Sequence, residues 1–257
     1  MPSLGVVVQE VRSCVDMTGD RSDEPPPPPS IAVVTGAGRG IGREVARRLA
    51  SSYTVVATAR TESELAETAS GGPSIRVLVA DLEQPGAVER IAAFADQLGV
   101  LRVWVNNAAN LDPQPLVEIT DERWRRVMAV NLDAVLAGCR AALSRMAATG
   151  GGVIVNMASL SGVAGVEKFP GLTSYNVSKA GVIALTEATA LEGRDVGVRC
   201  VSLSPGAVDT AMLRRAAPHL RAGMTADDVA SIVAFLVSDA AAPLSGTNIP
   251  IFSNRRR

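Results

Sequence analysis

The fold is decided by residues 31–42, which read IAVVTGAGRGIG. The first five residues, Ile31 to Thr35, are an apolar run typical of a strand that is buried on both faces of a parallel sheet. Glycines follow at positions 36, 38, 40 and 42, and a helical pattern then continues to about Ala50. Glycines let the backbone approach a phosphate closely, and the free N–H groups at a helix amino terminus can bind it. The stretch therefore predicts a pyrophosphate-binding loop.

The glycine spacing distinguishes this loop from two other phosphate-binding motifs. Gly36, Gly40 and Gly42 follow the pattern Thr-Gly-x-x-x-Gly-x-Gly, in which the third glycine does not fit G-x-G-x-x-G. No Gly-Lys-Ser or Gly-Lys-Thr follows, so a nucleoside-triphosphate P-loop is disfavoured. From this stretch alone, a tight strand–helix turn that binds no ligand is the alternative.

Downstream, apolar runs alternate with helical stretches. The runs occupy residues 53–59, 75–80, 101–105, 152–157, 196–203 and 247–251. The longest predicted helices extend from Thr120 to about Met146 and from about Ser174 to Leu191. Strands that alternate with helices predict an α/β fold with a doubly wound parallel sheet of Rossmann type. We expect about seven strands, with helices on both faces, in a single domain over residues 31–257.

Residues 1–30 differ from the rest of the chain. They end in five consecutive prolines, Pro25 to Pro29, before Ser30, and a proline run can neither pair in a sheet nor continue a helix. We interpret residues 1–30 as a disordered, proline-rich extension. A docking peptide and a mis-assigned start codon are the alternatives.

Composition excludes several classes of function. The 257 residues carry a formal net charge of −1, without the basic excess of a nucleic-acid-binding surface. Three widely spaced cysteines and one histidine predict reduced thiols and no metal site. No apolar stretch approaches the ~20 residues of a membrane span, and the amino terminus lacks the pattern of a signal peptide. We therefore expect a cytoplasmic protein that binds neither membrane nor nucleic acid.

The end of the second strand carries residues that bear on cofactor choice. Dinucleotide-binding folds often place an acidic residue here to bind the adenosine ribose, but Ala59 and Arg60 occupy this position. Arg39 of the glycine loop should lie nearby, and two guanidinium groups suit a 2′-phosphate. These residues favour NADPH over NADH, and two solvated surface arginines are the alternative. Asp81, at the end of the third strand, could bind the adenine or cap the next helix.

Tyr175 and Lys179 are the candidate catalytic pair. They are four positions apart, so on the second long helix they lie on one face, one turn apart. An adjacent ammonium favours the phenolate, which predicts a Tyr175 pKa below its usual ~10 and a general acid/base near neutral pH. Ser159, at the end of the fifth strand, can reach the same substrate oxygen, and Ser161 is the second candidate. For the pair alone, two surface side chains on an amphipathic helix are the alternative.

Together these motifs resemble the short-chain dehydrogenase/reductase family, of the single-domain type that includes 3-oxoacyl-carrier-protein reductases and polyketide ketoreductases. The resemblance covers residues 31 to about 251. It rests on the glycine loop, Asp81, Asn106-Asn107-Ala108, Asn131, Ser159, Tyr175-x-x-x-Lys179 and Pro205-Gly206 with Thr210. The chain departs from the family pattern at Ala109, where a glycine is usual, and in a longer loop between Ser159 and Tyr175. It also lacks the usual Asp-Gly-Gly ending.

The resemblance implies a function. The implied enzyme is an NADPH-dependent oxidoreductase that reversibly reduces a ketone, free or attached to a carrier, to a secondary alcohol. An NAD-dependent secondary-alcohol dehydrogenase and a non-catalytic NADP(H)-binding regulator are the alternatives. The family also implies a homotetramer or homodimer built on the two long helices.

The resemblance also assigns roles to residues. Tyr175 would donate the proton, and Lys179 would lower the Tyr175 pKa and hold the nicotinamide ribose. Ser159 would hydrogen-bond the substrate oxygen, and Asn131 would hold a water that links Lys179 to solvent. The implied cofactor contacts are Gly36, Arg39, Gly40, Ile41, Arg60, Asp81, Leu82, Asn107, Tyr175, Lys179, Pro205, Gly206 and Thr210.

Overall fold

The computed structural model describes residues 28–216 and 220–252. The extension predicted for residues 1–30 lies outside this part of the chain, apart from residues 28–30. Ser30 is already the first residue of a strand, one position before the expected start of the domain. The predicted character of the extension and the domain boundary at residue 31 stay predictions.

Seven strands form one parallel sheet. They are β1 (Ser30–Thr35), β2 (Thr54–Ala59), β3 (Ile75–Val79), β4 (Val100–Asn106), β5 (Gly152–Met157), β6 (Val198–Pro205) and β7 (Asn248–Ile251). Their order across the sheet is β3-β2-β1-β4-β5-β6-β7. The strand order changes direction between β1 and β4, which is where folds of this kind bind ligands. The predicted doubly wound parallel sheet is confirmed.

Helices cover both faces of the sheet. In the described residues they are α1 (Gly40–Leu49), α2 (Glu62–Ala69), α3 (Ala87–Asp96), α4 (Asp121–Met128), α5 (Ala134–Ala148), α6 (Thr173–Gly193), α7 (Ala211–Ala216) and α8 (Ala226–Val237). Side chains alternate between the faces, so Ala32 and Val34 of β1 pack in the core under α1 and α8. Ile31 and Val33 pack in the core under α3, α5 and α6. A strand buried on both faces explains the unbroken apolar run of β1.

A π turn interrupts the long helix that the sequence predicts from Thr120 to Met146. The residues between α4 and α5, Ala129–Asp133, form this turn, and the N–H of Ala134 donates to the carbonyl of Ala129. Asn131, whose amide is unfavourable inside a regular helix, lies at the centre of the turn. The predicted long helix is confirmed as one helical segment over residues 121–148, but the π turn inside it was not predicted, because the helical pattern of the sequence does not reveal one inserted residue.

The helical segment 121–148 also differs from the expectation that no part of the chain could span a membrane. By length and composition alone it is long and apolar enough to do so. However, 44% of its most apolar window is buried inside the protein, and Val135, Cys139 and Met146 belong to the core. The segment therefore packs in the core of the fold, and length and composition alone are weak evidence for a membrane span.

The carboxyl-terminal part of the described chain joins the sheet despite lacking the ending that is usual in the family. The hydroxyls of Ser202 and Ser204 on β6 both donate to Oδ1 of Asn248 on β7, at 2.9 and 2.7 Å. From its position after β6, the sequence predicts a short lid from Leu213 to Met224, and in the structure this segment begins within α7. It ends where Met224 bridges Val208, and residues 217–219 lie outside the described part.

Candidate active site

The glycine loop after β1 is lined by backbone. Gly36 has a φ of +65°, and a Cβ built on it would lie 2.7 Å from Cα of Ala108. A Cβ on Gly42 would overlap the carbonyl oxygen of Gly36 and the side-chain amide of Asn107. Side chains are thus sterically excluded at both glycines. This cradle at a helix amino terminus fits the pyrophosphate that the sequence predicts.

Asn107 holds the ends of β1 and β4 together beside this loop. Its side-chain amide donates to the carbonyls of Thr35 and Gly36, at 2.9 and 3.1 Å. The hydroxyl of Thr35 accepts from the backbone N–H groups of Asn107 and Ala108, at 3.0 and 3.1 Å. Among the described residues only glycines have a positive φ, so Ala109 adopts its turn without strain. Asn107, at the end of β4, therefore holds the glycine loop in place from the neighbouring strand.

Residues far apart in the sequence close around the loop. The methyl carbon of Thr210 lies 3.4 Å from a Cβ built on Gly40. Pro205 is the last residue of β6, and the N–H of Gly206 donates to the carbonyl of Ile251 at 3.1 Å. Ile41 is half-buried at the start of α1. The motif after β6 is thus brought to the motif after β1.

Asp81 and Leu82 lie at the end of β3. Oδ1 of Asp81 accepts from the backbone N–H of Glu83 at 3.1 Å, and α3 begins only at Ala87. Asp81 therefore does not cap α3, which removes one of its two expected roles. Leu82 packs against the core on the α3 side of the sheet.

Arg39 and Arg60, the two arginines predicted to bind a 2′-phosphate, are exposed. Their side chains are 63% and 68% accessible. Each forms an ion pair with a glutamate: Arg39 with Glu64 at 3.5 Å, and Arg60 with Glu83 at 3.8 Å. The structure thus gives both guanidinium groups carboxylate partners that the sequence analysis did not identify.

Ser159, Tyr175 and Lys179 come together where β5 ends and α6 begins. Nζ of Lys179 donates to the carbonyl of Met157 at 2.6 Å and lies 5.7 Å from the centre of the Tyr175 ring. The Tyr175 side chain is hydrogen-bonded to that of Ser159. Lys179 is only 2% exposed. The other candidate, Ser161, donates its backbone N–H to Oγ of Ser159 at 3.2 Å.

Burial dominates the electrostatics of this cluster. It raises the pKa of the Tyr175 phenol above its ordinary value, and the hydrogen bond to Ser159 opposes this increase. Burial also lowers the pKa of Lys179 to about 8. The sequence predicts a lowered Tyr175 pKa because Lys179 is close. This prediction was wrong: the Tyr175 pKa is raised, because the cost of burying the phenolate exceeds the favourable interactions.

Asn131 lies behind the cluster, in the π turn. Its side-chain amide donates to the carbonyl of Asn110 at 2.9 Å and to Oγ of Ser178 at 3.1 Å. Its Oδ1 accepts from the N–H of Asn110 at 2.6 Å. The side chain thus fixes the chain after β4 against α6. Its implied role in holding a water near Lys179 stays a prediction.

The sequence analysis missed two residues that brace the glycine loop from outside. Thr68 is fully buried on α2, and its hydroxyl donates to the carbonyl of Ala37 at 2.8 Å. Nε of Arg43 donates to the carbonyl of Gly38 at 3.0 Å. The start of α2 could have been predicted from Thr61 followed by two glutamates, a sequence typical of a helix amino terminus. No local pattern shows that Thr68 faces the loop.

A buried amide network lies under the strand ends. The side-chain amide of Asn106 donates to Oδ1 of Asn156 at 2.8 Å, and that of Asn156 donates to Oγ1 of Thr186 at 3.0 Å. Nε1 of Trp104 donates to Oδ1 of Asn106, also at 2.8 Å. These bonds join β4, β5 and α6 just below the residues that form the site.

Comparisons with known proteins agree with this geometry. A family model described as short chain dehydrogenase matches residues 30–221. The chain is 37% identical over 238 residues to 2-(R)-hydroxypropyl-CoM dehydrogenase of Xanthobacter autotrophicus, which covers 84% of this chain and 94% of that protein. It is 34% identical to cyclohexanol dehydrogenase of an Acinetobacter species, over 84% of this chain and 91% of that protein.

A solved structure has the same fold. Levodione reductase superposes with a TM-score of 0.80 at 26% sequence identity, and the match covers 89% of this chain and 98% of that one. The names of these relatives describe dehydrogenases and a reductase, and the similarity extends over nearly the whole described chain.

Proposed function

The chain belongs to the short-chain dehydrogenase/reductase family, and we propose that it is an NADPH-dependent oxidoreductase that reversibly reduces a ketone to a secondary alcohol. The observation that carries this proposal is the convergence of Ser159, Tyr175 and Lys179 at the carboxyl end of β5. They lie beside the point between β1 and β4 where the strand order changes direction. There the backbone of the glycine loop is accessible to a dinucleotide. Relatives that act on secondary alcohols support the same reaction class.

The residues of the site fit a nicotinamide dinucleotide. The loop between Gly36 and Gly42 would hold the pyrophosphate. An ammonium has three hydrogens, and the structure gives that of Lys179 one acceptor among the described residues, the carbonyl of Met157. Its other hydrogens are available for the hydroxyls of a ribose. When bound, the nicotinamide supplies or accepts the hydride.

The protein residues manage the proton. The hydroxyl of Ser159 would donate a hydrogen bond to the carbonyl oxygen of the substrate and stabilise its developing negative charge. The phenol of Tyr175 would then donate its proton to that oxygen, or remove it in the reverse direction. Burial raises the Tyr175 pKa, which favours the protonated phenol, the form that acts as the acid in reduction. The positive charge of Lys179 would stabilise the phenolate that remains.

The preference for NADPH rests on charge at the adenosine end. No acidic residue ends β2, and Arg39 and Arg60 are exposed beside it. Guanidinium groups bind phosphate with charge-assisted hydrogen bonds, so a 2′-phosphate would replace their glutamate partners. An NAD-dependent alcohol dehydrogenase is the second candidate, because those glutamates already neutralise both arginines.

The test is a ketone panel assayed with purified protein and each reduced cofactor. We expect consumption of NADPH with at least one secondary-alcohol-forming ketone, and a lower kcat/KM with NADH. A strong preference for NADH would contradict the two-arginine proposal while leaving the reaction class in place. Cofactor binding without turnover of any ketone or secondary alcohol would instead favour a non-catalytic regulator.

We also propose that the protein is a cytoplasmic homotetramer or homodimer. The surfaces of α5 and α6 leave Leu136, Val177 and Leu191 about half exposed or more. Exposed apolar side chains on two long helices are suited to an interface between copies. Size-exclusion chromatography with light scattering tests this proposal, and a monomer at micromolar concentration would contradict it.

A further inference from the structure

Helix α2 places a carboxylate beside the glycine loop and the end of β2, where the adenosine of a bound dinucleotide would lie. A Cβ built on Gly38 would lie 3.0 Å from Oε2 of Glu64 and 3.2 Å from Cβ of Ala59. Glu64 therefore lies between the glycine loop and the end of β2, where the strand itself carries no acid. In dinucleotide-binding folds the acidic residue of this region usually stands at the end of β2, whereas here it comes from α2.

The position of Glu64 is fixed by its neighbours. The next residue, Leu65, is fully buried, and the hydroxyl of Thr68 joins α2 to the carbonyl of Ala37 at 2.8 Å. The guanidinium of Arg43 lies between Gly38 and Glu64, within hydrogen-bonding reach of the carbonyl oxygens of both. The backbone that carries Glu64 is therefore anchored to the loop that carries Arg39.

The carboxylate of Glu64 acts on a 2′-phosphate in two ways. It pairs with Arg39 at 3.5 Å, so it occupies one of the two guanidinium groups that would bind the phosphate. It also carries the same charge as the phosphate that Arg39 would bind, and like charges repel each other. Both effects weaken the binding of a 2′-phosphate and leave an unphosphorylated ribose unaffected or favoured.

We propose that Glu64 is a specificity-determining residue that limits the preference for the 2′-phosphate of NADPH. The proposal rests on the proposed use of NADPH and adds a residue that acts against it. Neutralising Glu64 frees Arg39 and removes the repulsion. Since the pair is partly exposed, we expect a gain of roughly threefold to tenfold in affinity for the 2′-phosphate.

The test is calorimetric titration of the cofactor-free protein with adenosine 2′-monophosphate and adenosine 5′-monophosphate. We expect Glu64→Gln to bind the 2′-monophosphate more tightly than the wild type, with unchanged affinity for the 5′-monophosphate. Glu67→Gln is the matched control, because Glu67 lies one turn further along α2 and pairs with Arg43 instead. It should bind both nucleotides as the wild type does.

Two further measurements keep the test decisive. Glu64→Ala should show the same gain as Glu64→Gln, and the gain should shrink at high salt, because the interaction is electrostatic and near the surface. Unchanged or weaker binding of the 2′-monophosphate by both Glu64 variants would overturn the proposal. If the wild type shows no preference for the 2′-monophosphate but the Glu64 variants gain one, Glu64 acts as proposed and the NADPH preference is what fails.

Discussion

The end of the candidate site that holds Lys179 is buried, whereas the end that holds Arg39 and Arg60 faces solvent. Lys179 is 2% exposed, and burial shifts its pKa and that of Tyr175. The side chains of the two arginines are more than 60% exposed and pair with glutamates at 3.5 and 3.8 Å. The candidate proton-transfer residues and the two arginines thus lie at the same edge of the sheet but in different dielectric surroundings.

The difference in burial teaches how strongly each end can act. Two opposite unit charges ~4 Å apart attract each other by about 1 kcal/mol in water. Near a protein surface, with an effective dielectric constant of about 20, the attraction is about fourfold larger. Exposed ion pairs contribute about 0.2–1 kcal/mol to stability. We therefore expect large, all-or-none effects from substitutions at the Tyr175 end and graded effects at the arginine end.

Substitution of the buried lysine should have the largest effect. We expect Lys179→Met to lower kcat/KM by about a thousandfold or more, because it removes the cation beside the phenol and the group proposed to hold the ribose. At pH 7 the variant should nevertheless be as stable as the wild type, or up to roughly 3 kcal/mol more stable, since an ammonium with a lowered pKa is costly to bury. Urea unfolding and initial rates measure the two effects.

The pH dependence of this stability difference follows from the lowered pKa of Lys179. The pKa is about 8 in the folded protein and 10.5 for an unperturbed lysine, so between these values the unfolded state binds more protons. Wild-type stability should therefore increase relative to that of Lys179→Met as the pH rises from 8 to 10.5. A difference that is constant over this range would contradict the assigned burial.

Removal of the serine hydroxyl should have the next largest effect. We expect Ser159→Ala to lower kcat by about a hundredfold to a thousandfold, the usual result of removing a donor to a developing oxyanion. Ser161→Ala is the matched control and should stay close to the wild-type rate, because the structure gives Tyr175 a hydrogen bond to Ser159. The reverse ranking of the two variants would assign the substrate contact to Ser161.

The rate of reduction should depend on pH through the protonation of Lys179. Lys179 is protonated below its pKa of about 8, so kcat/KM for reduction should be level there. Above that pH it should fall by up to about tenfold per pH unit, as the cation beside Tyr175 is lost. The profile is measured with saturating NADPH at constant ionic strength. A rate that rises through this range would show that the ammonium is not needed.

Substitution of the exposed arginines should have the smallest effect. We expect Arg39→Ala with Arg60→Ala to weaken NADPH binding by roughly tenfold to a hundredfold, and NADH binding by less than about threefold, as expected for solvent-exposed phosphate contacts. The dissociation constants of both cofactors are measured by fluorescence titration. An equal loss for both cofactors would mean that the arginines hold the loop rather than the 2′-phosphate.

The contrast between buried and exposed parts also explains how much of the fold could be predicted. The run from Ile31 to Thr35 and its successors predict the parallel sheet, because strands buried on both faces must be continuously apolar. The interruption around Asn131 could not be predicted, since one extra residue in a helical turn hardly changes the apolar pattern. The role of α2 was missed because its contacts with the glycine loop, through Thr68 and Glu64, are tertiary.

The site could be predicted as a set of residues but not as an electrostatic balance. The spacing of Tyr175 and Lys179 predicts their proximity, which the structure bears out at 5.7 Å from ring centre to Nζ. It could not predict that burial outweighs this proximity in setting the Tyr175 pKa, because a sequence does not report solvent access. For the same reason, Arg39 and Arg60 could be identified without their glutamate partners.

The most direct test of the central claim is the turnover of Tyr175→Phe together with its affinity for NADPH. Phenylalanine keeps the ring and removes only the hydroxyl that would donate the proton. The proposed mechanism predicts a loss of kcat of about a thousandfold or more with an NADPH dissociation constant close to that of the wild type. Turnover within tenfold of the wild-type rate would contradict it, because the proton would then come from a different group.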